Sequence, residues 1–413
     1  MKVLHLSSRD VVGGAAVASY RLHNGLLNHG VDSHMLVQYK SVSIDSISGV
    51  GSRFRANISY FLDSLPVYIS RCKRGTTFSP AYFPDRIIEN VDRLSPDIIH
   101  LHWINGGFLR VETLLELNKP IVWTLHDMWP YTGGCHYSGE CSRYTDSCGC
   151  CPELGSTSLN DLSHRIWKRK LAAWNRLPIN FIAPSNWMAK CVKSSSLFSK
   201  ADVSVIPNCI DTTEYAPSDR VNARDFLGLP VDKRLILFGA MSPMGDPRKG
   251  YQSLLNALKY LVEKGLGEDT ELIVYGSTKT EMNSCLGMKI HYFGHLNNQK
   301  TMVLLNSAAD VFIAPSIQDN LPNTVVEALS CGTPCVAFNI GGMPDLITQG
   351  VNGYLAKPFE SVDLANGIIW VLSDEQRMME LSRASRKVIE NKLSMHTVVD
   401  RHIRLYKEML GSK

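Results

Sequence analysis

Ala314-Pro315-Ser316-Ile317-Gln318-Asp319-Asn320-Leu321-Pro322-Asn323-Thr324-Val325-Val326-Glu327-Ala328-Leu329-Ser330-Cys331-Gly332-Thr333-Pro334 follows one short apolar run, residues 311–314, and precedes another, residues 335–338. Strand, irregular loop, short helix over 324–330 and strand again make a unit whose two strands run parallel, with the helix as crossover. Two carboxylates, Asp319 and Glu327, stand eight positions apart across the loop and the helix. Glu327 on the helix is suited to accept hydrogen bonds from both hydroxyls of a ribose, and Asp319 in the loop to meet hydroxyls of a sugar. Backbone donors at Asn320, Leu321 and Asn323 can hold a phosphate at the helix N-terminus, where the helix dipole favours an anion. Singly, such carboxylates are ordinary solvated groups; their placement after a strand is what gives them meaning.

The same unit recurs on both sides. Upstream in this half, residues 235–238, 272–275 and 290–293 are short apolar runs, and residues 249–264 and 299–309 carry helical spacing between them. Downstream, residues 365–372, 378–389 and 395–410 read as helices, the last of them amphipathic. The N-terminal half repeats the pattern with strands at residues 3–6, 34–37, 98–101, 121–125, 181–183 and 203–206. A chain of 413 residues exceeds what one core of roughly 200 residues organises. The spacing therefore predicts two parallel α/β domains, residues 1–208 and 209–392, followed by a closing helix over 393–413. Residues 41–95 resist assignment; their Pro/Ser/Arg mixture suits a long, mobile insertion near a binding face.

Composition narrows the class. The 44% hydrophobic and 20% charged content is that of a globular protein. No window approaches about 18 uninterrupted apolar residues, so no membrane span is expected. Met1 leads into a strand without a signal peptide's succession of regions, which predicts a cytoplasmic protein. The net charge of +4 is uneven: residues 1–208 hold 22 Lys+Arg against 16 Asp+Glu, and the remainder 21 against 23. The excess gathers at Arg53-Phe54-Arg55, Arg71-Cys72-Lys73-Arg74 and residues 165–176, where aromatics and aliphatics interleave with cations as at an anionic membrane surface. A solvated face is the plainer reading of each cluster alone. Nucleic acid is not an expected partner, because no binding motif accompanies the charge.

Three further segments carry candidate chemistry. After the first strand, Gly13-Gly14 opens a helix, and glycine lets backbone N–H groups approach a phosphate there. His126, in Trp123-Thr124-Leu125-His126-Asp127, ends a strand at the edge where open α/β sheets bind ligands and can hydrogen-bond a substrate hydroxyl. Arg248 and Lys249 open a helix after the strand at 235–238 and can neutralise a diphosphate whose negative charge grows as a glycosidic bond breaks.

Together these segments resemble the retaining GT-B glycosyltransferases of family 4 over nearly the whole chain. Asp319 to Glu327 resembles the family's carboxylate, seven residues, glutamate motif; Cys331-Gly332-Thr333-Pro334 is similar to the sequence that follows it. Pro207-Asn208-Cys209-Ile210-Asp211 resembles the family's interdomain element. The resemblance implies two Rossmann-like domains facing a cleft, the last helix returning to the N-terminal domain. It implies transfer of a hexosyl-type group from a nucleoside diphosphate sugar to an acceptor hydroxyl with retention, the leaving phosphate serving as base. Gly13 and Gly14 would approach donor phosphate, His126 the sugar, Arg248 and Lys249 the diphosphate, and Glu327 the ribose. No catalytic metal is expected. Bacterial relatives of this kind act in surface polysaccharide biosynthesis, which implies a glycan or lipid-linked acceptor and peripheral association with the inner membrane face. Three departures stand out: Asp319 where Glu is usual, Cys209 in place of Gly, and Ala240 where an Arg often follows Gly. Arg248 would supply the missing charge, and the shorter Asp319 would select a different or substituted sugar.

A subset of bacterial polysaccharide glycosyltransferases is also similar in the cysteine-rich loop at 135–151. Cys135, Cys141, Cys148 and Cys151 are spaced compactly enough for a structural tetrahedral zinc, while Cys150 has no ligand role. Disulfides and reduced, hydrogen-bonded thiols are the alternatives. Two other functions share this sequence pattern: a non-catalytic sugar-nucleotide-binding or scaffold protein of the same fold, and a sugar-nucleotide epimerase.

Overall fold

The computed structural model describes residues 1–70, 77–239, 245–277, 287–296 and 298–411. The basic cluster Arg71-Cys72-Lys73-Arg74 and Ala240 lie outside the described residues. The chain divides into two compact units, Met1–Cys209 with Val398–Lys413, and Ile210–Thr397.

The first unit runs β1 (Lys2–Ser7), α1 (Gly14–Asn28), β2 (Asp32–Val37), β3 (Ile47–Gly49), α2 (Arg53–Ile69), α3 (Ile88–Leu94), β4 (Ile98–Leu101), β5 (Ile121–Thr124), α4 (Leu162–Trp174), β6 (Ile179–Ala183), α5 (Asn186–Ser194) and β7 (Val203–Val205). Its strands form one parallel sheet in the order β3-β2-β1-β4-β5-β6-β7. The second unit runs α6 (Arg220–Leu227), β8 (Arg234–Gly239), α7 (Tyr251–Glu263), β9 (Thr270–Tyr275), β10 (Ile290–Tyr292), α8 (Gln299–Ala308), β11 (Val311–Ala314), α9 (Asn323–Ser330), β12 (Cys335–Phe338), α10 (Met343–Leu346), β13 (Gly353–Ala356), α11 (Ser361–Leu372) and α12 (Glu375–Lys392). Its sheet, also parallel, has the order β10-β9-β8-β11-β12-β13. The last helix, α13 (Met395–Gly411), belongs to the first unit from Val398 onward.

Alternation along each strand explains the layering. On β8, Leu235 and Leu237 pack with residues of α8 and α9, while Ile236 and Phe238 pack with residues of α7 and α11. A strand buried on both faces reads as a continuous apolar run, which is why these strands are visible in the sequence. In each sheet the strand order reverses at one place, between β1 and β4 and between β8 and β11. At such switch points the loops leaving the carboxyl ends part to opposite faces and leave room for a ligand.

The stretch 41–95, expected as an irregular insertion, contains β3, α2 and α3. Helix α2 escaped recognition because its pattern is inverted: its buried residues are Ser59 and Asp63, and most of its large apolar side chains are exposed, Phe54, Phe61, Tyr68 and Ile69 among them. The Asp63 carboxylate accepts the backbone N–H groups of Ala81, Tyr82 and Phe83 at 3.3, 2.7 and 3.1 Å.

A buried ion pair ties the second unit together. The Asp310 carboxylate, just before β11, accepts from Arg224 Nη2 at 2.8 Å, Arg220 Nη1 at 2.8 Å and the Leu235 N–H at 2.7 Å. Arg224 also donates to the carbonyls of Ala308 and Lys233. Without Arg224 the buried Asp310 keeps the more exposed Arg220 as its countercharge but loses a hydrogen bond to a charged group. Arg224→Met is therefore expected to cost about 1.5–3 kcal/mol, read as a lower urea midpoint for the second unit; an unchanged midpoint would show that the pair does not hold α6 to the sheet.

Candidate functional site

In the second unit the candidate residues leave two adjacent strands. After β8 the chain makes one turn of tight helix over Pro247–Lys249 and passes Gly250 into α7. After β11 it runs through Asp319 into α9. The two loops are locked together. The Ile317 N–H donates to the Arg248 carbonyl at 2.8 Å. Gly250, at φ +67°, lies so near Pro315 that a Cβ there would be 1.8 Å from the Pro315 carbonyl oxygen. Opposite, a Cβ on Gly341, at φ +52°, would be 2.0 Å from the Asp319 carbonyl oxygen. Two glycines thus hold the carboxylate loop between them.

The result is a short ion pair: Lys249 Nζ donates to Asp319 Oδ2 at 2.7 Å. Asp319 is buried, and its other oxygen accepts its neighbour Asn320's N–H at 3.0 Å. Asn320 and Leu321 are buried with it just before α9, Glu327 is buried one turn into that helix, and Asn323 is the helix's first residue. Arg248, expected to face a diphosphate, is held by Asp246, whose Oδ1 and Oδ2 accept from its Nε and Nη2 at 3.1 and 2.5 Å. Lys249 is the cation of the two that meets the predicted carboxylate. Sequence reading missed Asp246, although an Asp two positions before an Arg at a helix start marks a cap.

In the first unit Gly13 caps α1 at φ +101°, with nothing within 4 Å of the place a Cβ would take. His126 follows β5 and ends a row of imidazoles. Its Nε2 is 3.0 Å from His102 Nδ1, and His102 Nε2 is 2.9 Å from His5 Nδ1. His100, paired with His5 across β1 and β4, shares hydrogen bonds with Tyr406 of α13 at 2.6 Å and Thr124 at 2.7 Å. Among the described residues His5, His100 and His102 bring ligand atoms within 4.8 Å of one another. Five of their six ring nitrogens already hold hydrogen bonds, leaving His5 Nε2 as the one without a partner, so these rings read as a neutral network rather than a metal centre. Only the polar letters inside apolar runs, Leu4-His5-Leu6 and His100-Leu101-His102, signalled it in the sequence.

Next to His126, Asp127 accepts from Trp103 Nε1 at 2.9 Å and the Trp129 N–H at 2.9 Å, and pairs with His136 at 2.6 Å. Burial alone would raise its carboxyl; His136, the Trp129 N–H and His126 outweigh it and hold the group below its ordinary value. Cys135, Cys141, Cys148, Cys150 and Cys151 form no disulfide. Among the described residues the four expected ligands do not form a group with three sulfurs within 4.8 Å of one another. A tetrathiolate zinc needs its sulfurs roughly 3.8 Å apart, from bonds of about 2.3 Å. Cys148 Sγ accepts the Gly133 N–H at 3.2 Å, and Cys150 Sγ donates to the Thr157 carbonyl at 3.2 Å. Lys170 lies buried beside this loop, its ammonium held by the Trp129 and Thr132 carbonyls and stacked over the Trp129 ring. Burial pulls that lysine well below its usual value.

The model described as Glycosyltransferase Family 4 matches residues 12–214, and the one described as Glycosyl transferases group 1 matches residues 219–388. The chain belongs to this glycosyltransferase family. It is 29% identical to an Escherichia coli UDP-Gal:alpha-D-GlcNAc-diphosphoundecaprenol alpha-1,3-galactosyltransferase over 51% of this chain and 55% of that one. It is 25% identical to the putative colanic acid biosynthesis glycosyl transferase WcaC of Escherichia coli K12 over 82% of this chain and 83% of that one. Among solved structures it superposes on sucrose-phosphate synthase from Thermosynechococcus elongatus with TM-score 0.73 at 16% identity, each chain covered fully. Anabaena HepE, solved with UDP-glucose, gives 0.68 at 17% identity, again with both chains covered fully. The fold is GT-B.

The buried histidines set the acid limit of the first unit. Burial pulls His23, His126 and His402 down to about 4, and His5, His100 and His102 well below their usual value. A histidine whose folded pKa lies below its unfolded value of about 6.5 leaves stability whole above that pH and erodes it as pH falls toward the folded value. One group shifted from about 6.5 to about 4 contributes about 3 kcal/mol of loss. Urea unfolding should therefore show constant stability above pH 7 and a steep decline between pH 6.5 and 4; a flat profile across that window would contradict the neutral network.

Proposed function

We propose that the chain transfers a sugar from a nucleoside diphosphate sugar to a hydroxyl of a glycan or lipid-linked acceptor, with retention, in polysaccharide biosynthesis. The observation that carries this reading is the Lys249–Asp319 pair at the carboxyl ends of β8 and β11, with Glu327 one helix turn beyond. The donor named for the galactosyltransferase relative, UDP-Gal, and the UDP-glucose named for HepE support a uridine nucleotide. The diphosphoundecaprenol in that relative's name supports a lipid-linked acceptor.

In this reading the donor's C1–O bond breaks, its electrons pass to the β-phosphate, and the acceptor oxygen bonds to C1 on the same face. The acceptor's proton goes to the departing phosphate. Lys249 turns part of its charge from Asp319 to the growing phosphate charge, which stabilises the transition state more than the ground state. Asp319 then has a free lone pair for a sugar hydroxyl. Glu327 accepts from the ribose, and Gly13 and Gly14 give the diphosphate close backbone approach. Arg248 acts through Asp246 to fix the turn. His126, uncharged at neutral pH, hydrogen-bonds a hydroxyl of the sugar. Lys249→Ala and Glu327→Ala are each expected to lower kcat/KM for the donor by about 10- to 100-fold, equivalent to about 1.5–3 kcal/mol. Wild-type kinetics in both folded variants would sink the assignment.

Helix α2 supports the membrane part of the reading. Phe54, Phe61, Tyr68 and Ile69 are 75%, 57%, 69% and 81% exposed, with Arg53 and Arg55 at the same end as Phe54. Among the described residues no helix is long and apolar enough to cross a membrane. Exposed aromatics beside cations suit the headgroup layer of an anionic bilayer. The protein should sediment with phosphatidylglycerol-containing vesicles at low salt and lose most of that binding on Phe54→Ser/Phe61→Ser substitution; equal sedimentation of the double variant would remove α2 from the reading.

A further inference from the structure

Tyr275 is the last residue of β9, in register with Gly239, the last residue of β8. Its ring lies across that glycine: a Cβ at position 239 would sit 1.9 Å from the tyrosine Cζ. The side chain packs on the sheet face covered by α8 and α9, in one cluster with Tyr215, Leu321 and Val325. The residue is 6% exposed, and its Oη is buried without a hydrogen-bond partner.

A phenylalanine would fill the same space without leaving a polar atom unpaired, so the fold gains nothing from this oxygen. An orphaned buried hydroxyl at the ligand edge of an α/β sheet marks a place where something else completes the bond. After burial, the nearby Glu327 carboxylate is the strongest influence raising the phenol's pKa, so the O–H stays protonated at neutral pH. A carboxylate that accepts and a phenol that donates together match one alcohol, since a hydroxyl does both.

We propose that Tyr275 Oη is a donor-binding atom that donates to a ribose hydroxyl of the nucleoside diphosphate, the same sugar that Glu327 accepts from. This rests on the reading that Glu327 faces the ribose. Gly239 is part of the arrangement, because any side chain there would displace the ring.

Calorimetric titration of the full-length protein tests the assignment. Wild type and Tyr275→Phe are titrated with UDP, GDP and ADP, and with the 2′,3′-dideoxy form of whichever diphosphate the wild type binds most tightly. Thermal melts are recorded without ligand. The expected result is a Tyr275→Phe melting temperature equal to or above the wild type's, about tenfold weaker binding of the ribonucleotide, and unchanged binding of the dideoxy form. A lower melting temperature with unchanged nucleotide affinity would overturn the proposal, since the oxygen would then serve the fold through an ordered water. Equal losses for the ribo and dideoxy forms would also overturn it. A wild type that binds none of the diphosphates would instead overturn the reading of Glu327 on which it rests.

Discussion

The close approach of backbone to backbone at the carboxyl end of β11 governs the donor-side chemistry of this chain. Gly250 presses against Pro315 from one side and Gly341 against Asp319 from the other, at separations that no side chain at either glycine would permit. The Ile317 and Gly342 N–H groups bond across the same seams, to Arg248 and Asp319. Because the loop has nowhere to go, the Lys249–Asp319 pair is a fixed geometry rather than one surface rotamer among many. A pair preorganised in this way loses little conformational freedom when a ligand arrives. The cost sits in the two left-handed turns, where glycine alone is unstrained.

The second sheet was legible because its strands are buried on both faces and spell unbroken apolar runs. The missed strands show the limit. β3 has three residues and β13 includes Gly353, so neither carries an apolar run long enough to stand out. Strand order, and with it the adjacency of β8 and β11, is a matter of long-range pairing that no local pattern records. The carboxylates of the site were legible as a motif, but their partners were not. Asp246 had to be seen beside Arg248 before the two adjacent cations could be told apart. Tyr275 had to be seen over Gly239 before its hydroxyl meant anything.

The first unit departs from the usual economy of an α/β domain by placing polar groups in its interior. His5 and His100 stand where β1 and β4 would ordinarily carry aliphatic side chains, and His102 follows directly on β4. They are tolerated because nearly every ring nitrogen finds a partner, and α13 supplies one of them through Tyr406. A network of this kind is demanding in a way an aliphatic core is not. Its members must agree on which nitrogen of each ring carries the proton, so a change at one ring is felt at the next.

Helix α2 inverts the usual division of labour between core and surface. It is fastened through Asp63, while Phe54, Phe61, Tyr68 and Ile69, the kind of side chains that would ordinarily anchor a helix, are exposed and contribute little to holding the chain together. Folding therefore places almost no restriction on what those outward positions are. They can be exchanged for others over evolutionary time without disturbing the sheet beneath, so one scaffold can be fitted to different surroundings by rewriting a single exposed helix.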